Sequence, residues 1–95
     1  MSGWVYILAN RYRGSTYIGV TADLARRIFQ HRESRGSKHA ARYGIMRLVY
    51  AERHDLIIDA IAREKAIKKW LRDWKIDLIE QANPDWNDLW DTINC

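Results

Sequence analysis

The segment from residue 4 to residue 20 constrains the fold most, because its composition predicts a β-hairpin. Two runs rich in β-branched and aromatic residues, Trp4–Asn10 and Ser15–Val20, are typical of strands. Only four residues, 11–14, separate them, and Gly14 ends that connection with a residue that tolerates unusual backbone angles. Strands joined by so short a turn pair antiparallel, so we expect the core to form around a small sheet.

Strand pleating divides this hairpin into two faces. Val5 and Ile7 share one face of the first strand, and we expect that aliphatic face to pack on helices. Tyr6 and Tyr17 fall on the opposite face, where Gly19 leaves room beside them. Two phenols next to an open position can form a functional site. Strands also favour ordinary half-buried tyrosines, and the pattern does not decide between the two.

The rest of the chain predicts helices, a third strand and a loop. A helix is predicted from about Ala22 to Glu33, capped by Thr21 or Asp23, and a loop over Ser34–Lys38 follows it. Next come a helical turn over His39–Tyr43 and a strand over Met46–Glu52. A long helix capped by Asp55 then runs towards Trp70 or Trp74, and a last helix reaches about Gln81 before Pro84. The order β-β-α-β-α-α predicts an α+β fold, a small three-stranded antiparallel sheet flanked by helices. We assign residues 1–95 to one domain, with 82–95 as its C-terminal extension.

Charge and apolar patterning limit the functional classes. Residues 1–50 hold nine Lys or Arg and two Asp or Glu, which favours a polyanionic partner, although a solvated basic surface explains the balance equally well. No apolar run near the start is long enough for a signal peptide or a membrane helix. The single cysteine, Cys95, excludes a disulfide within the chain. We therefore expect a cytoplasmic protein that does not enter a membrane.

The first predicted helix carries polar residues on an apolar face. Leu24, Arg27, Ile28 and His31 recur at spacings of three and four and so share one side of the helix. Arg27 and His31 are one turn apart and can contact the same ligand. The alternative is a surface arginine and a histidine whose polar atoms are satisfied at the rim of the core.

The long helix also carries a charge among apolar residues. Its apolar positions at helical spacing are Ile57, Ile61, Ile67 and Leu71, and Glu64 falls on the same stripe. A carboxylate there is costly unless it binds a metal or pairs with a cation, for which Arg27 is a candidate. A basic flank of this helix is either a surface for phosphates or a solvated face, and it comprises Lys65, Lys68, Lys69 and Arg72.

Five short segments carry a resemblance to a known family. They are Trp4-Val5-Tyr6, Tyr17-Ile18-Gly19, the helix from Asp23 to His31, Arg63-Glu64-Lys65 with Lys68-Lys69-Trp70, and Asn83-Pro84-Asp85-Trp86. Together they resemble the GIY-YIG nuclease domain, in particular its small stand-alone bacterial members, and are similar to the catalytic part of Slx-type nucleases. The first motif is degenerate, and Val20 stands where many relatives have lysine. Asn83 can correspond to a late asparagine of some relatives.

The resemblance implies metal-assisted hydrolysis of phosphodiester bonds in DNA. By matching positions, it implies Tyr6 as the general base or the group that orients the attacking water, and Tyr17 as holding that water or the scissile phosphate. It implies Arg27 for stabilising charge on the phosphate, and His31 for bonding a tyrosine hydroxyl and helping to take its proton. Glu64 would bind one Mg²⁺, for which Mn²⁺ can substitute. Candidate DNA contacts are Lys38, His39, Arg42, Lys68 and Lys69.

Three functional hypotheses follow. The leading one is a Mg²⁺-dependent endonuclease that acts on branched or flapped DNA in repair or recombination. The second is a weakly active or inactive nucleic-acid-binding module of the same fold. The third is an interaction subunit, because Trp70 and Trp74 lie one turn apart, as Trp86 and Trp90 would on a helix. Exposed rings would suit a protein partner, whereas buried rings would only close the small core.

Overall fold

The computed structural model describes residues 1–33 and 44–93, so the predicted loop over Ser34–Lys38 and turn over His39–Tyr43 lie outside the described residues. Its elements are β1 (Gly3–Ala9), β2 (Thr16–Thr21), α1 (Leu24–Arg32), β3 (Arg47–His54), α2 (Ile57–Lys68), α3 (Arg72–Ala82) and α4 (Trp90–Ile93). The order confirms the predicted β-β-α-β-α-α arrangement and the α+β class, with α4 as one short addition. Within the described ranges, no helix is both long and apolar enough to cross a bilayer.

The three strands form one antiparallel sheet in the order β2-β1-β3, with β1 in the centre. In the hairpin, Tyr6 lies opposite Gly19 and Leu8 lies opposite Tyr17. The pairing of β1 with β3 shifts its register between Ile7 and Leu8. Strand β1 is therefore hydrogen-bonded on both sides, which fixes its backbone between the two edge strands.

The turn between β1 and β2 uses its glycine differently from the prediction. The left-handed residue is Arg13, with a φ of 51°, and not Gly14. Glycine is needed at position 14 because a Cβ there would collide with Asn10 Oδ1, which accepts a hydrogen bond of 2.9 Å from the Ser15 amide. The Arg13 guanidinium donates two hydrogen bonds of 2.7 Å to Glu80, which tie the turn to α3.

Helices cover both faces of the sheet. One buried cluster joins β1 to α2 and α3 and includes Val5, Ile7, Ala60, Ile67 and Ile79. The other joins the opposite face to α1 and comprises Tyr6, Leu8, Leu24, Ile28, Ile45 and Leu48. The aliphatic face therefore packs on helices as predicted, and the tyrosine face is covered as well.

Of the two helix caps that the sequence predicts, one is confirmed and one is wrong. Asp23 caps α1 by accepting a 3.2 Å hydrogen bond from the Arg26 amide, and Thr21 Oγ1 accepts one of 3.1 Å from the Asp23 amide. The predicted Asp55 cap of α2 is wrong, because the cap residue is Leu56, which makes no side-chain cap bond. Asp55 instead pairs with Arg53 at the surface.

The predicted long helix and the helix after it are separate, as predicted, and the first ends close to the predicted Trp70. Helix α2 ends at Lys68 and α3 begins at Arg72, with Leu71 between them. The backbone of Leu71 is extended, with a ψ of 149°, and its side chain is 66% exposed. Neither glycine nor proline stands at the break. The bend returns Ile79 to the sheet, and Arg72 holds it by donating to the carbonyls of Arg13 (2.6 Å) and Gly14 (2.9 Å).

The segment after α3 closes the outer edge of β3. The Leu89 amide donates to the Leu48 carbonyl over 2.8 Å. Asn83 is buried, and its Nδ2 donates to the carbonyls of Val49 (3.0 Å) and Asn87 (2.9 Å) while its Oδ1 accepts from the Asn87 amide (3.1 Å). Backbone groups thus use every polar atom of this side chain, so Asn83 anchors the C-terminal segment.

Replacing Asn83 by alanine tests this anchor. The change leaves the Val49 carbonyl and two backbone groups of Asn87 without partners, and we expect the free energy of unfolding to fall by about 2–4 kcal/mol. Urea unfolding followed by tryptophan fluorescence measures the loss. Asn87→Ala is the control, because the backbone of Asn87 makes these bonds, and it should cost less than about 1 kcal/mol. Equal losses would contradict the anchor.

Candidate active site

Tyr6 is the centre of the candidate site. Its ring is only 1% exposed and lies in the layer between the sheet and α1. A Cβ at position 19 would collide with Cζ and Oη of this ring, so glycine is what makes space for the phenol. The room that the sequence predicts beside Gly19 is therefore filled by Tyr6 itself.

Helix α1 brings two polar side chains to the phenol. Leu24 and Ile28 are buried beneath the helix, and the same side carries Arg27 and His31, as their spacing predicts. Arg27 Nε donates to Tyr6 Oη over 3.3 Å. The same hydroxyl oxygen lies 3.1 Å from His31 Nε2. The Tyr6 hydroxyl thus has two side-chain partners.

Burial and charge decide where the protons lie. Burial, together with the charge of Arg27, lowers the pKa of His31 to about 4, so the imidazole is neutral at pH 7. Burial raises the pKa of Tyr6 even though the Arg27 hydrogen bond opposes it, so the phenol keeps its proton. A neutral imidazole nitrogen can accept a proton and a guanidinium can only donate. The hydrogen bonds therefore run from Arg27 to Tyr6 and from Tyr6 to His31.

Tyr17 lies beside these hydrogen bonds and is half-buried. Its ring centroid is 6.4 Å from that of Tyr6 and 5.3 Å from that of His31, with an interplanar angle of 62° to the imidazole. Hydrogen bonding to Tyr6, with a smaller contribution from Tyr17, raises the pKa of Arg27. Four of the five predicted catalytic residues thus lie in direct contact.

Glu64 approaches the same region from α2. Its side chain is 13% exposed. Burial raises the pKa of Tyr6, and the negative charge of Glu64 is the smallest of the further causes of this shift. The hypothesis that Glu64 pairs with Arg27 is wrong, because its ion pair is with Lys68, one turn along the helix, at 3.1 Å between Nζ and Oε2.

The buried stripe of α2 also differs from the predicted one. Ala60 and Ile67 are fully buried, whereas Ile61 lies at the surface and Leu71 lies outside the helix. Gly3 and Ala60 are small enough to let α2 approach β1 closely, so the helix turns this side to the sheet. The predicted metal ligand on this helix therefore lies at the edge of the stripe, where a carboxylate keeps some access to solvent.

The donor set fits a weakly held hard cation. Within residues 1–33 and 44–93, no three His, Cys, Asp or Glu side chains cluster as metal ligands. Glu64 offers one carboxylate, and an incoming cation can displace Lys68, because ion pairs near the surface contribute little free energy. Mg²⁺ typically binds one or two carboxylates and takes its other ligands from water and phosphate oxygens. Glu64 thus fits a Mg²⁺ that binds together with a substrate phosphate.

The predicted DNA contacts are only partly visible. Lys68 and Lys69 lie at the exposed C-terminal end of α2. The other three predicted contacts lie outside the described residues, namely Lys38, His39 and Arg42. Their part in binding stays a prediction.

Gln30 belongs to the site and was missed from the sequence. Its Oε1 accepts a hydrogen bond of 3.3 Å from Arg27 Nη1. Because Arg27 Nε donates to Tyr6 at the same time, Gln30 fixes the orientation of the guanidinium. The signal in the sequence was its position three residues after Arg27 on the same helix.

The low pKa of His31 makes the fold sensitive to acid. Its pKa is about 4 in the folded protein and near the ordinary 6.5 in the unfolded chain, so below pH 6.5 the unfolded chain binds more protons and stability falls towards pH 4. Between pH 7 and 5 we expect the wild type to lose about 2 kcal/mol more than His31→Gln, which does not titrate. Urea unfolding at both pH values measures the difference. Parallel losses in the two proteins would argue against a neutral buried imidazole.

Comparison with known proteins identifies the family of this chain. The model of the GIY-YIG catalytic domain matches residues 2–77. A UPF0213 protein of Staphylococcus saprophyticus is 33% identical over 79 residues, covering 83% of this chain and 95% of that protein. A UPF0213 protein of Staphylococcus epidermidis is 31% identical over 69 residues, covering 73% of this chain and 84% of that protein. The solution NMR structure of a UPF0213 protein from Bacillus halodurans matches with a TM-score of 0.58 and 31% identity over 93% of both chains. Since motifs, fold and sequence agree, the chain belongs to the GIY-YIG family, whose catalytic domain indicates a nuclease.

Proposed function

We propose that this protein is a metal-dependent endonuclease that hydrolyses phosphodiester bonds in DNA. The observation that carries the proposal is the Tyr6 hydroxyl, which is hydrogen-bonded to a guanidinium and to a neutral imidazole. One partner is enough to satisfy a buried structural tyrosine. A donor and an acceptor on the same oxygen provide, in addition, a path along which a proton can move.

The proton of the attacking water would travel through Tyr6. As the water oxygen forms a bond to phosphorus, its proton passes to Tyr6 Oη while the phenol proton passes to His31 Nε2. The bond from phosphorus to the leaving sugar oxygen breaks, and that oxygen takes up a proton from solvent. Because burial raises the pKa of Tyr6, a concerted transfer avoids forming a costly free phenolate in the buried site.

Arg27 and Glu64 would act on the charge of the phosphate. The guanidinium has five N–H donors; Tyr6 and Gln30 orient it, and it can bind phosphate oxygens as well. Bound at Glu64, Mg²⁺ would neutralise charge on a phosphate oxygen and on the leaving group. Removing one such group typically costs about 3 kcal/mol of transition-state stabilisation.

DNA with a branch or a flap is the substrate that we infer, as in Slx-type nucleases, in the setting of repair or recombination. The second candidate, a binding module without activity, has one observation in its favour, since Lys68 occupies the carboxylate of Glu64. Flap, splayed and four-way-junction DNAs incubated with Mg²⁺, Mn²⁺ or EDTA separate the two. Binding without metal-dependent cutting would support the module.

Glu64→Gln removes the charge that would hold the cation while keeping the size of the side chain. We expect cleavage in Mg²⁺ to fall by about 100-fold or more. Asp59→Asn is the matched control, because Asp59 is an exposed acid on the same helix, and it should cleave like the wild type. Rates on a labelled flap substrate measure the effect, with circular dichroism to verify folding. Wild-type rates in Glu64→Gln would exclude the one-metal mechanism.

Lys68→Met tests whether the lysine competes with the cation for Glu64. Without the ammonium group the carboxylate is open and a repelling charge is gone, so we expect Mn²⁺ to bind two- to fourfold more tightly, on the scale of about 0.5 kcal/mol for such a pair. Mn²⁺ binding to the free protein is measured by electron paramagnetic resonance. Lys69→Met removes the same charge from the next residue and should leave the affinity unchanged. If both variants bind Mn²⁺ like the wild type, Lys68 does not compete.

A further inference from the structure

A pair of tryptophans at the junction of α2 and α3 has no part in the site described above. Trp70 packs partly against the core, and Trp74 meets it edge-to-face, with centroids 6.2 Å apart and an angle of 76°. Trp74 is 55% exposed, whereas Trp86 is fully buried. The core-closing interpretation therefore holds for Trp86 but not for Trp74, whose ring remains available to a ligand.

A network of half-buried polar groups supports this pair. The Arg63 guanidinium lies over the Trp70 ring at 5.0 Å and donates to Glu52 over 3.0 Å. Glu52 is also bonded to Tyr50 and His54. Burial opposes ionisation of Glu52, but the hydrogen bonds from these three partners outweigh it and lower the pKa of Glu52. The carboxylate stays charged at neutral pH, so Arg63 and the ring beneath it are held in place.

The exposed ring borders a groove with polar groups at its edge. The groove has a volume of about 370 Å³ and is lined by Arg63, Trp70, Trp74, Asp77, Leu78 and Gln81. This volume is in the range of small-molecule sites and accommodates a nucleobase. Carboxylate and amide groups can hydrogen-bond to the edge of a base whose face stacks on an aromatic ring.

The charge around the pair favours nucleic acid over a protein partner. Two exposed lysines, Lys68 and Lys69, immediately precede Trp70 in the chain. The groove itself is lined by one cation, Arg63, and one acid, Asp77. Aromatic rings flanked by cations are the usual means of binding single strands, because bases stack on the rings while the cations neutralise phosphates. Trp70 follows Glu64 by six residues along the chain, so the end of α2 connects the proposed metal ligand to the tryptophan pair.

We propose that Trp74, with Trp70 and Arg63, forms a stacking platform for unpaired bases of the DNA substrate. The proposal rests on the endonuclease function and names its substrate class, a duplex that carries a single-stranded segment. Trp74 provides the open ring, Trp70 and Arg63 hold it in position, and the lysines at the end of α2 attract the phosphates.

Binding in EDTA tests the platform without any cleavage. Fluorescence anisotropy compares a duplex with a single-stranded tail and a blunt duplex of the same length. We expect Trp74→Ala to weaken binding of the tailed duplex about fivefold or more and to leave the blunt duplex unchanged. Trp74→Phe keeps an aromatic ring and should restore most of the affinity. Leu71→Ala, an exposed apolar neighbour, is the matched control and should bind like the wild type.

Two outcomes would overturn the platform. One is unchanged affinity of Trp74→Ala for the tailed duplex, which is also the result expected if this surface serves a protein partner. The other is an equal loss on both duplexes, which would indicate a general effect on folding. A different result would contradict the endonuclease proposal alone. In that case the wild-type protein binds tailed DNA but does not cut it in Mg²⁺.

Discussion

The close contact between Tyr6 and Gly19 determines how the candidate site is built. It lets a phenol lie inside the layer between the sheet and α1, where its hydroxyl is shielded from bulk water and needs protein partners. Arg27 and His31 supply them, and burial with the Arg27 charge keeps the imidazole neutral by lowering its pKa. Because the buried Tyr6 hydroxyl needs hydrogen-bond partners, it is bonded to a donor and to an acceptor at once. Proton transfer through this hydroxyl requires the same arrangement.

The sheet separates the parts of the site and sets their distances. Helix α1 covers one face and carries Arg27 and His31, whereas α2 packs on the other face and carries Glu64. Helix α2 packs on β1 and on β2, an edge strand of the sheet. The close approach at Gly3 keeps the helix near the strands. Because the site residues come from helices on both faces of the sheet, the site depends on the packing of both helices on the strands.

The junction of α2 and α3 carries a lysine and two tryptophans that contact each other. The end of α2 holds Lys68, which pairs with the proposed metal ligand, and the break at Leu71 turns the chain so that Trp70 and Trp74 meet. Arg63 connects this junction to the polar network on β3. The result is an aromatic groove next to the exposed lysines Lys68 and Lys69, and this combination is why we assign it to the substrate.

The sequence by itself determined the order of the elements, the hairpin, the Asp23 cap and the membership of Tyr6, Arg27 and His31 in one cluster, because these depend on local periodicity and motif order. Only the tertiary structure decided the close approach of α2 to Gly3, the anchoring role of Asn83, and which tryptophans are buried. Each of these depends on distances between residues far apart in the chain, and a local pattern contains no such distances. Ile61 and Ala60 show the difference, since periodicity favours the larger residue for the core and the approach of α2 to Gly3 selects the smaller one.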